Sequence, residues 1–163
     1  MITLYHGSNV EINGIDLSRG RSGKDFGKGF YLSVDMEQAK SMALLVFERE
    51  GKGSPIVSSF LFDDSVADKL SLKIKRFNDY SKDWAEFILK NRLNQTNEQL
   101  HDYDIVYGPI ANDKVGVQIQ LYRDEFITID ELISRLKYVR PTYQYFFGTE
   151  RAISLLTKNS VEL

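Results

Sequence analysis

The residues of this chain best suited to chemistry are a histidine and a tyrosine, His6 and Tyr31, each set beside glycine. The first lies in the segment LYHGS (4–8) and the second in DFGKGFYLS (25–33). A neutral imidazole donates one hydrogen bond and accepts another, which suits a ligand hydroxyl. A tyrosine ring offers a rigid face for stacking, and glycine lets the backbone come close to a ligand. The two segments therefore predict a ligand site at the ends of two short strands.

Each residue also has a purely structural interpretation. A histidine at a strand end often bonds a nearby carbonyl, and any tyrosine among so many aromatic residues can belong to the core. Strand alternation places Phe30 on the face opposite Tyr31, so Phe30 is the better core candidate of the two. It is the order of the two segments and their flanking residues Tyr5, Gly7 and Ser8 that favour a ligand site.

Composition narrows the function further. The 163 residues fit one domain, and 42% hydrophobic residues are enough to bury a core. Cysteine is absent and only two histidines occur, which excludes disulfides and zinc–thiolate sites and argues against a metal centre. The net charge is −2 with both signs interspersed, unlike the basic face of a duplex-binding protein. Without an apolar span or a signal peptide, we expect a cytoplasmic protein with no membrane partner.

The elements that must position these residues follow from caps, turns and apolar runs. Helices are predicted after Asp35, Ser81, Thr128 and Thr149, the third with a capping box to Glu131 and a stop at Pro141. Strands are predicted at about 2–5, 56–62, 72–77, 104–107 and 143–147, with a turn at 111–114.

These elements do not alternate regularly, so the chain is α+β and a doubly wound nucleotide fold is a poor fit. No G-x-G-x-x-G occurs, and the glycines Gly27 and Gly29 lead into a strand, whereas the dinucleotide fingerprint leads into a helix. Binding of NAD, if it occurs, must therefore use another arrangement.

The two segments resemble the first two signatures of the diphtheria-toxin and poly(ADP-ribose)-polymerase type of ADP-ribosyltransferase. In that superfamily a histidine, a tyrosine and usually a glutamate lie on three strands, and the third position corresponds here to Gln144. The chain is more specifically similar to a bacterial family of small ADP-ribosyltransferase-like domains. That similarity includes the helix segment with Asp83, Trp84 and Phe87 and the segment DIVYGPIAND (104–113).

The resemblance implies an α+β fold of the ADP-ribosyltransferase type over residues 1–163, with two small antiparallel or mixed sheets around a cleft and peripheral helices. It implies that His6, Tyr31 and Gln144 are catalytic, with no metal. It also implies an NAD-binding set that is listed here: His6, Gly7, Ser8, Arg21, Gly29 and Tyr31.

Several roles stay open at this stage. The helix that follows Tyr31 has no aromatic residue near 41–42, so stacking of nicotinamide is expected from one side only. Either Arg19 or Arg21 could clamp the pyrophosphate, or be a solvated surface arginine. Asn112 and Asp113 could approach the acceptor, but Asx residues are ordinary turn formers. His101 is expected at the surface.

Gln144 raises the main mechanistic question, because an amide keeps a hydrogen bond but brings no negative charge. Three interpretations follow: Gln144 suffices for a slow or specialised transferase, Asp113 or Glu150 supplies the charge, or the site binds NAD without turnover. A surface strand residue is a further alternative. The intact companion motifs favour the first interpretation.

The function predicted is transfer of one ADP-ribose unit from NAD to a macromolecular acceptor, either a protein or a nucleic acid. A toxin-like bacterial effector held in check by an inhibitory partner protein is the expected setting. The alternative is a non-catalytic module that binds NAD, another nucleotide or a protein on the same fold. Action on RNA ends is a third alternative, disfavoured because the chain has few additional basic or histidine candidates for such a site.

Overall fold

The computed structural model describes the backbone of residues 1–162 and their side chains except those at 113 and 160–162. The strands are β1 Ile2–Ser8, β2 Phe30–Ser33, β3 Ile56–Phe62, β4 Ile74–Arg76, β5 Ile105–Pro109, β6 Tyr143–Phe147 and β7 Thr157–Glu162. The α-helices are α1 Met36–Glu50, α2 Asp64–Lys69, α3 Lys82–Arg92, α4 Asp113–Arg123, α5 Ile129–Leu136 and α6 Glu150–Ile153, and Leu17–Arg19 forms one 3-10 turn.

All seven strands form one mixed sheet in the order β4-β5-β6-β2-β1-β3-β7. Strands β4 and β5 are parallel, and every other neighbouring pair is antiparallel. The α+β class is therefore confirmed, whereas the expected pair of small sheets is replaced by a single sheet. The reason is the pair Tyr5 and Ser33, which joins β1 to β2 at the middle of the sheet.

All four predicted helix starts are confirmed by their caps. The side chains of Asp35, Ser81, Thr128 and Thr149 accept hydrogen bonds from main-chain N–H groups in the first turns of α1, α3, α5 and α6. Each cap satisfies one of the donors that a helix start leaves unpaired. These four signals are local, which is why the sequence reveals them.

Other elements differ from the prediction. Helix α4 begins where the turn at 111–114 was expected, and α2 and β7 were not predicted. The sequence of α4 contains Gly116 and two valines, which are weak helix formers. Tertiary packing stabilises it nevertheless, because Val115 and Ile119 are buried in the core. Strand β4 is shorter than the predicted 72–77.

The sheet separates two apolar clusters. One contains Phe26, Trp84 and Phe146 together with residues of α4 and α5. The other contains Leu4, Phe60 and Phe147 on the opposite face. The rings of Tyr31 and Phe30 pack against the first and the second cluster respectively, as strand alternation predicts. The site residues are thus held by the core on both faces of the sheet.

No helix in the described part of the chain is both long enough and apolar enough to span a membrane.

Candidate functional site

Strands β1 and β2 diverge next to the predicted site. Their one pair in the described structure is Tyr5 with Ser33, while the neighbouring residues Gly7 and Ser8 pair with β3 only. The side of this β1 segment that faces β2 is therefore not covered by a strand ladder. The divergence opens a cleft between the end of β1 and the start of β2.

The His6 side chain lies in this cleft and bonds across it. Its Nδ1 atom is 2.8 Å from the main-chain oxygen of Tyr31. Because a carbonyl oxygen can only accept, Nδ1 carries the proton in this contact, and in the neutral ring Nε2 is an acceptor. The ring stacks on Phe30 at 4.5 Å between centroids. Burial lowers the pKa of His6, although the bond to Tyr31 opposes the shift, so the ring is neutral at pH 7.

Both the hydroxyl and the ring of Tyr31 are held by neighbouring residues. Its hydroxyl donates to the oxygen of Gly27 at 2.6 Å and accepts from the main-chain N–H of Phe26 at 3.0 Å. Its ring meets Phe146 edge to face at 5.4 Å. Burial raises the pKa of the Tyr31 hydroxyl well above its usual range. The hydroxyl is thus a neutral anchor for the preceding loop, and the ring face is the part suited to a ligand.

A lysine covers this ring face. The Lys24 Nζ atom lies 5.4 Å from the centroid of the Tyr31 ring, at a distance typical of a cation–π contact. Sequence reasoning missed this contact, for which the position of Lys24 directly before the second segment is the one available signal. A planar ligand that stacks on Tyr31 from this side must displace the ammonium group.

Gln144 is buried at the middle of the sheet, 9% exposed, between Ser33 of β2 and Gly108 of β5. It lies on the same face as Tyr31, because Tyr31 pairs with Phe146 and the side chains of a strand alternate. Such diagonal neighbours lie roughly 7–8 Å apart. Within the described residues no side-chain hydrogen bond to the Gln144 amide is formed, so it retains both donor and acceptor capacity.

The structure places the three predicted catalytic residues close together in the sheet but not on one face. His6 contacts the main chain of Tyr31, and its ring stacks on Phe30, on the face opposite the Tyr31 ring. Gln144 is a diagonal neighbour of Tyr31 on the same face as the Tyr31 ring. Within the described residues the Gln144 amide has no side-chain hydrogen bond, whereas Lys24 covers the Tyr31 ring.

The two glycines of the predicted NAD set have strong packing reasons. A Cβ atom on Gly7 would lie 2.0 Å from the main-chain oxygen of Ala39, so α1 can cross β1 only at glycine. A Cβ atom on Gly29 would lie 2.3 Å from the Phe146 ring. Ser8 is partly exposed, and its hydroxyl faces the Asn9 side chain at 3.4 Å. Gly7 and Ser8 lie where β1 pairs with β3 and, in the described structure, not with β2.

The two arginines differ in their surroundings. Arg19 lies 3.8 Å from Asp16, and both side chains are well exposed. Arg21 is also exposed, and its charge helps to lower the pKa of Lys24, after the larger effect of burial. Of Arg19 and Arg21, it is Arg21 whose charge acts on Lys24. Its place in the NAD-binding set stays a prediction.

An unpredicted network anchors the loop before Tyr31. The Nε atom of Arg92 donates to Asp25 at 2.6 Å, and another nitrogen of Arg92 donates to the oxygen of Ala111 at 2.9 Å. The Ala111 N–H in turn points to Asp25 at 3.3 Å. The network connects the second segment to α3 and to the start of α4. A partly buried salt bridge of this kind has no local signature, because its partners are 67 residues apart.

Two side chains of the segment 94–101 complete the anchoring. Gln99 accepts from the N–H of Lys28 at 3.0 Å and donates to its oxygen at 2.7 Å. The Nε2 atom of His101 lies 2.6 Å from the oxygen of Phe26, and its Nδ1 atom accepts from the Tyr103 N–H. The expectation of a surface His101 is therefore wrong: both ring nitrogens are used to hold the loop.

Of the two alternative acids, Glu150 does not join Gln144. Glu150 begins α6, beyond the far end of β6, and lines a separate cavity near Phe60. The side chain of Asp113 lies outside the described residues. Asn112 precedes α4 as its N-cap but makes no capping hydrogen bond with its side chain.

Two surface cavities, of about 240 and 370 Å³, lie away from the cleft. Neither is lined by His6, Tyr31 or Gln144. At the cleft, Lys24 covers the Tyr31 ring face. Within the described residues no group of three His, Asp or Glu side chains is placed to hold a metal ion.

Residues 2–157 match the family DUF3990, whose description is "protein of unknown function". The match covers both segments and all three residues of the cleft. A comparison with curated proteins finds no match.

Proposed function

The chain belongs to the DUF3990 family, and we propose that it is an enzyme that transfers one ADP-ribose unit from NAD to a macromolecular acceptor. The supporting observation is the contact of His6 with the main chain of Tyr31 at the place where β1 and β2 part, with Gln144 next to Tyr31 in the sheet. In this proposal a nicotinamide riboside enters between the two strands and reaches all three residues.

Each residue has a distinct role in this proposal. The Nε2 atom of His6 accepts a hydrogen bond from a ribose hydroxyl, since Nδ1 is committed to the oxygen of Tyr31. The Tyr31 ring stacks against nicotinamide after Lys24 moves aside. The Gln144 amide oxygen accepts from the 2′-hydroxyl of the nicotinamide ribose.

The bond that breaks joins the anomeric carbon to the nicotinamide nitrogen, and the bonding electron pair leaves with nicotinamide. The acceptor nucleophile then donates an electron pair to the anomeric carbon and releases its proton to solvent. A positively charged, oxocarbenium-like state lies between these events. Because Gln144 supplies a dipole and no full charge, we expect slow turnover and transfer of single units rather than chains.

The proposal extends to the fold. Strands β4, β5, β6 and β2 lie on one side of the cleft, and β1, β3 and β7 lie on the other. A single residue pair joins the two groups. We interpret them as the counterparts of the two small sheets of an ADP-ribosyltransferase-type domain. A toxin-like role and an inhibitory protein partner belong to the same proposal.

A second candidate is a module that binds NAD or another nucleotide without turning it over. The neutral side chain of Gln144 and the lysine over Tyr31 favour it, because binding needs neither a carboxylate nor an uncovered ring. The two candidates differ in whether nicotinamide is released.

The test measures nicotinamide release from NAD by the purified protein, with and without bacterial lysate as a source of acceptor. Tyr31→Ala and Gln144→Ala should each lower the release rate by at least about tenfold. Matched controls are Tyr138→Ala and Gln95→Ala, whose side chains are exposed and lie outside the cleft. If the protein binds NAD but releases no nicotinamide under any of these conditions, the transferase proposal fails and the binding module is favoured.

A further inference from the structure

Lys24 is a cation that lacks an acidic partner. None of the ion pairs in the described part of the chain includes it, and its neighbour Asp25 is engaged by Arg92 and by the Ala111 N–H. Its ammonium group lies over the Tyr31 ring. A cation–π contact with a tyrosine is weaker than a charge-assisted hydrogen bond to an anion.

The charges of two arginines act on Lys24. Burial lowers the pKa of Lys24, and the charges of Arg21 and Arg49 lower it further, although Asp25 opposes this. Arg49 lies in the last turn of α1, where it contacts Glu50 at 3.1 Å and remains well exposed. Arg21 takes part in no ion pair within the described structure. Because like charges repel, a cation with cationic neighbours is stabilised when an anion joins it.

We propose that Arg21, Lys24 and Arg49 bind the diphosphate of a nucleotide and that Lys24 leaves the Tyr31 ring when the ligand enters. This inference rests on the proposed function, because it assigns the anionic part of the same ligand. A lysine can occupy both the position over the Tyr31 ring and the position at the diphosphate, since its flexible four-carbon stem lets one ammonium group reach alternative partners. The ring and the cations together select a ligand that combines a flat ring with phosphate.

The chemistry also limits the ligand class. A nucleic-acid strand would need a longer basic surface than three residues, and the protein as a whole carries a net charge of −2. A lone phosphate would not use the Tyr31 face. A nucleoside diphosphate or a dinucleotide uses both features.

The test measures binding of ADP-ribose by calorimetry, which involves no bond cleavage. Lys24→Ala should weaken ADP-ribose binding about 10- to 100-fold, the range expected for losing a charged hydrogen-bond partner. Lys24→Arg should retain most of the affinity. Lys69→Ala is the matched control, because Lys69 is exposed on α2, outside the cleft. Raising the salt concentration should weaken wild-type binding more than that of Lys24→Ala.

A second ligand tests the displacement of Lys24. Nicotinamide has the ring without the phosphates, so Lys24→Ala should bind it at least as tightly as the wild type. Equal weakening of both ligands would indicate damage to the loop and would overturn the proposal. Absence of nicotinamide binding to both proteins would overturn the displacement of Lys24 from the ring.

The test of ADP-ribose binding can fail or succeed independently of nicotinamide release. Weaker ADP-ribose binding by Lys24→Ala supports the anion site even if the wild type releases no nicotinamide. Unchanged ADP-ribose binding by Lys24→Ala, together with wild-type nicotinamide release, would overturn the anion site and leave the transferase intact. Absence of ADP-ribose binding to the wild type at millimolar concentration would also overturn the anion site.

Discussion

The Nδ1 atom of His6 bonds the main-chain oxygen of Tyr31 at 2.8 Å, at the place where β1 and β2 no longer pair. A side chain here takes the place of a ladder hydrogen bond between two strands. The same contact fixes which imidazole nitrogen faces outward. The fold and the proposed chemistry therefore depend on one hydrogen bond.

The pH dependence of stability follows from the histidines. Burial lowers the pKa values of His6 and His101 below the ordinary 6.5, so below about pH 6.5 the unfolded chain binds more protons than the folded one. We expect the free energy of unfolding to be highest above pH 6.5 and to fall as the pH decreases through 6.5 towards the lowered values. Urea unfolding at about pH 7.5 and pH 5.5 measures the difference.

Single variants show how much each histidine contributes to the pH dependence of the free energy of unfolding. His6→Gln and His101→Gln should each remove part of the pH dependence, and the double variant should remove most of it. The carboxylates whose pKa is lowered, such as Asp16 and Asp63, titrate below 3.8 and do not contribute in this range. An unchanged pH dependence in the double variant would contradict the neutral buried histidines.

Replacing Tyr31 by phenylalanine separates anchoring from stacking. Tyr31→Phe keeps the ring but leaves the oxygen of Gly27 and the N–H of Phe26 without their partner. We expect a loss of about 1–3 kcal/mol in the free energy of unfolding, as for an unsatisfied buried group. Nicotinamide binding should fall less than in Tyr31→Ala. Tyr138→Phe, at an exposed position, should change neither quantity.

A carboxylate at position 144 tests the proposed chemistry directly. If Gln144 faces the ribose of NAD, Gln144→Glu adds a negative charge next to the cationic transition state and should raise the nicotinamide release rate by on the order of tenfold. Because the position is buried, the variant should also be less stable than the wild type at pH 7. A release rate that falls as far as in Gln144→Ala would argue that Gln144 acts only through its amide hydrogens.

The close contact between β1 and α1 predicts that Gly7 cannot be replaced by a larger residue without loss of stability. A methyl group at Gly7 would meet the main chain of Ala39 and Ala43, neither of which can rotate away. Gly7→Ala should lower the free energy of unfolding by about 1–3 kcal/mol or more, as overpacking does. Gly14→Ala is the matched control, since a Cβ atom there meets nothing within 4 Å. Equal stability of the two variants would refute the close approach.

Local signals made much of the fold predictable. Strands β3 and β6 have the predicted bounds because their apolar runs end at turn residues, and Asp35, Ser81 and Thr128 mark helix starts through their own caps. Helix α4 was missed because Gly116 and its valines are poor helix formers whose burial is a tertiary effect. Strand β7 was missed because its polar sequence pairs with β3, far away in the chain.

In the cleft, too, local sequence signals could be recognised, whereas contacts between distant elements could not. His6, Tyr31 and Gln144 could be named from segments of the sequence, and they are near neighbours in the sheet, although the His6 ring stacks on Phe30 on the other face. Their catalytic role stays a prediction. The positions of Lys24 over Tyr31 and of Arg92 beside Asp25 depend on how distant elements pack. Residue type alone cannot distinguish such a lysine or arginine from a solvated one.

A sheet joined at its middle by one residue pair has an uneven stiffness. Elsewhere β1 pairs with β3 from Ile2 with Phe62 to Ser8 with Ile56, so these two strands resist relative movement along their whole length. At Tyr5 and Ser33 the two groups of strands can change their angle while almost every other ladder stays intact. Among the strand pairs of the described residues this junction has the fewest paired residues, so we expect opening or narrowing of the cleft, where His6 bonds Tyr31, to be the easiest deformation of this sheet.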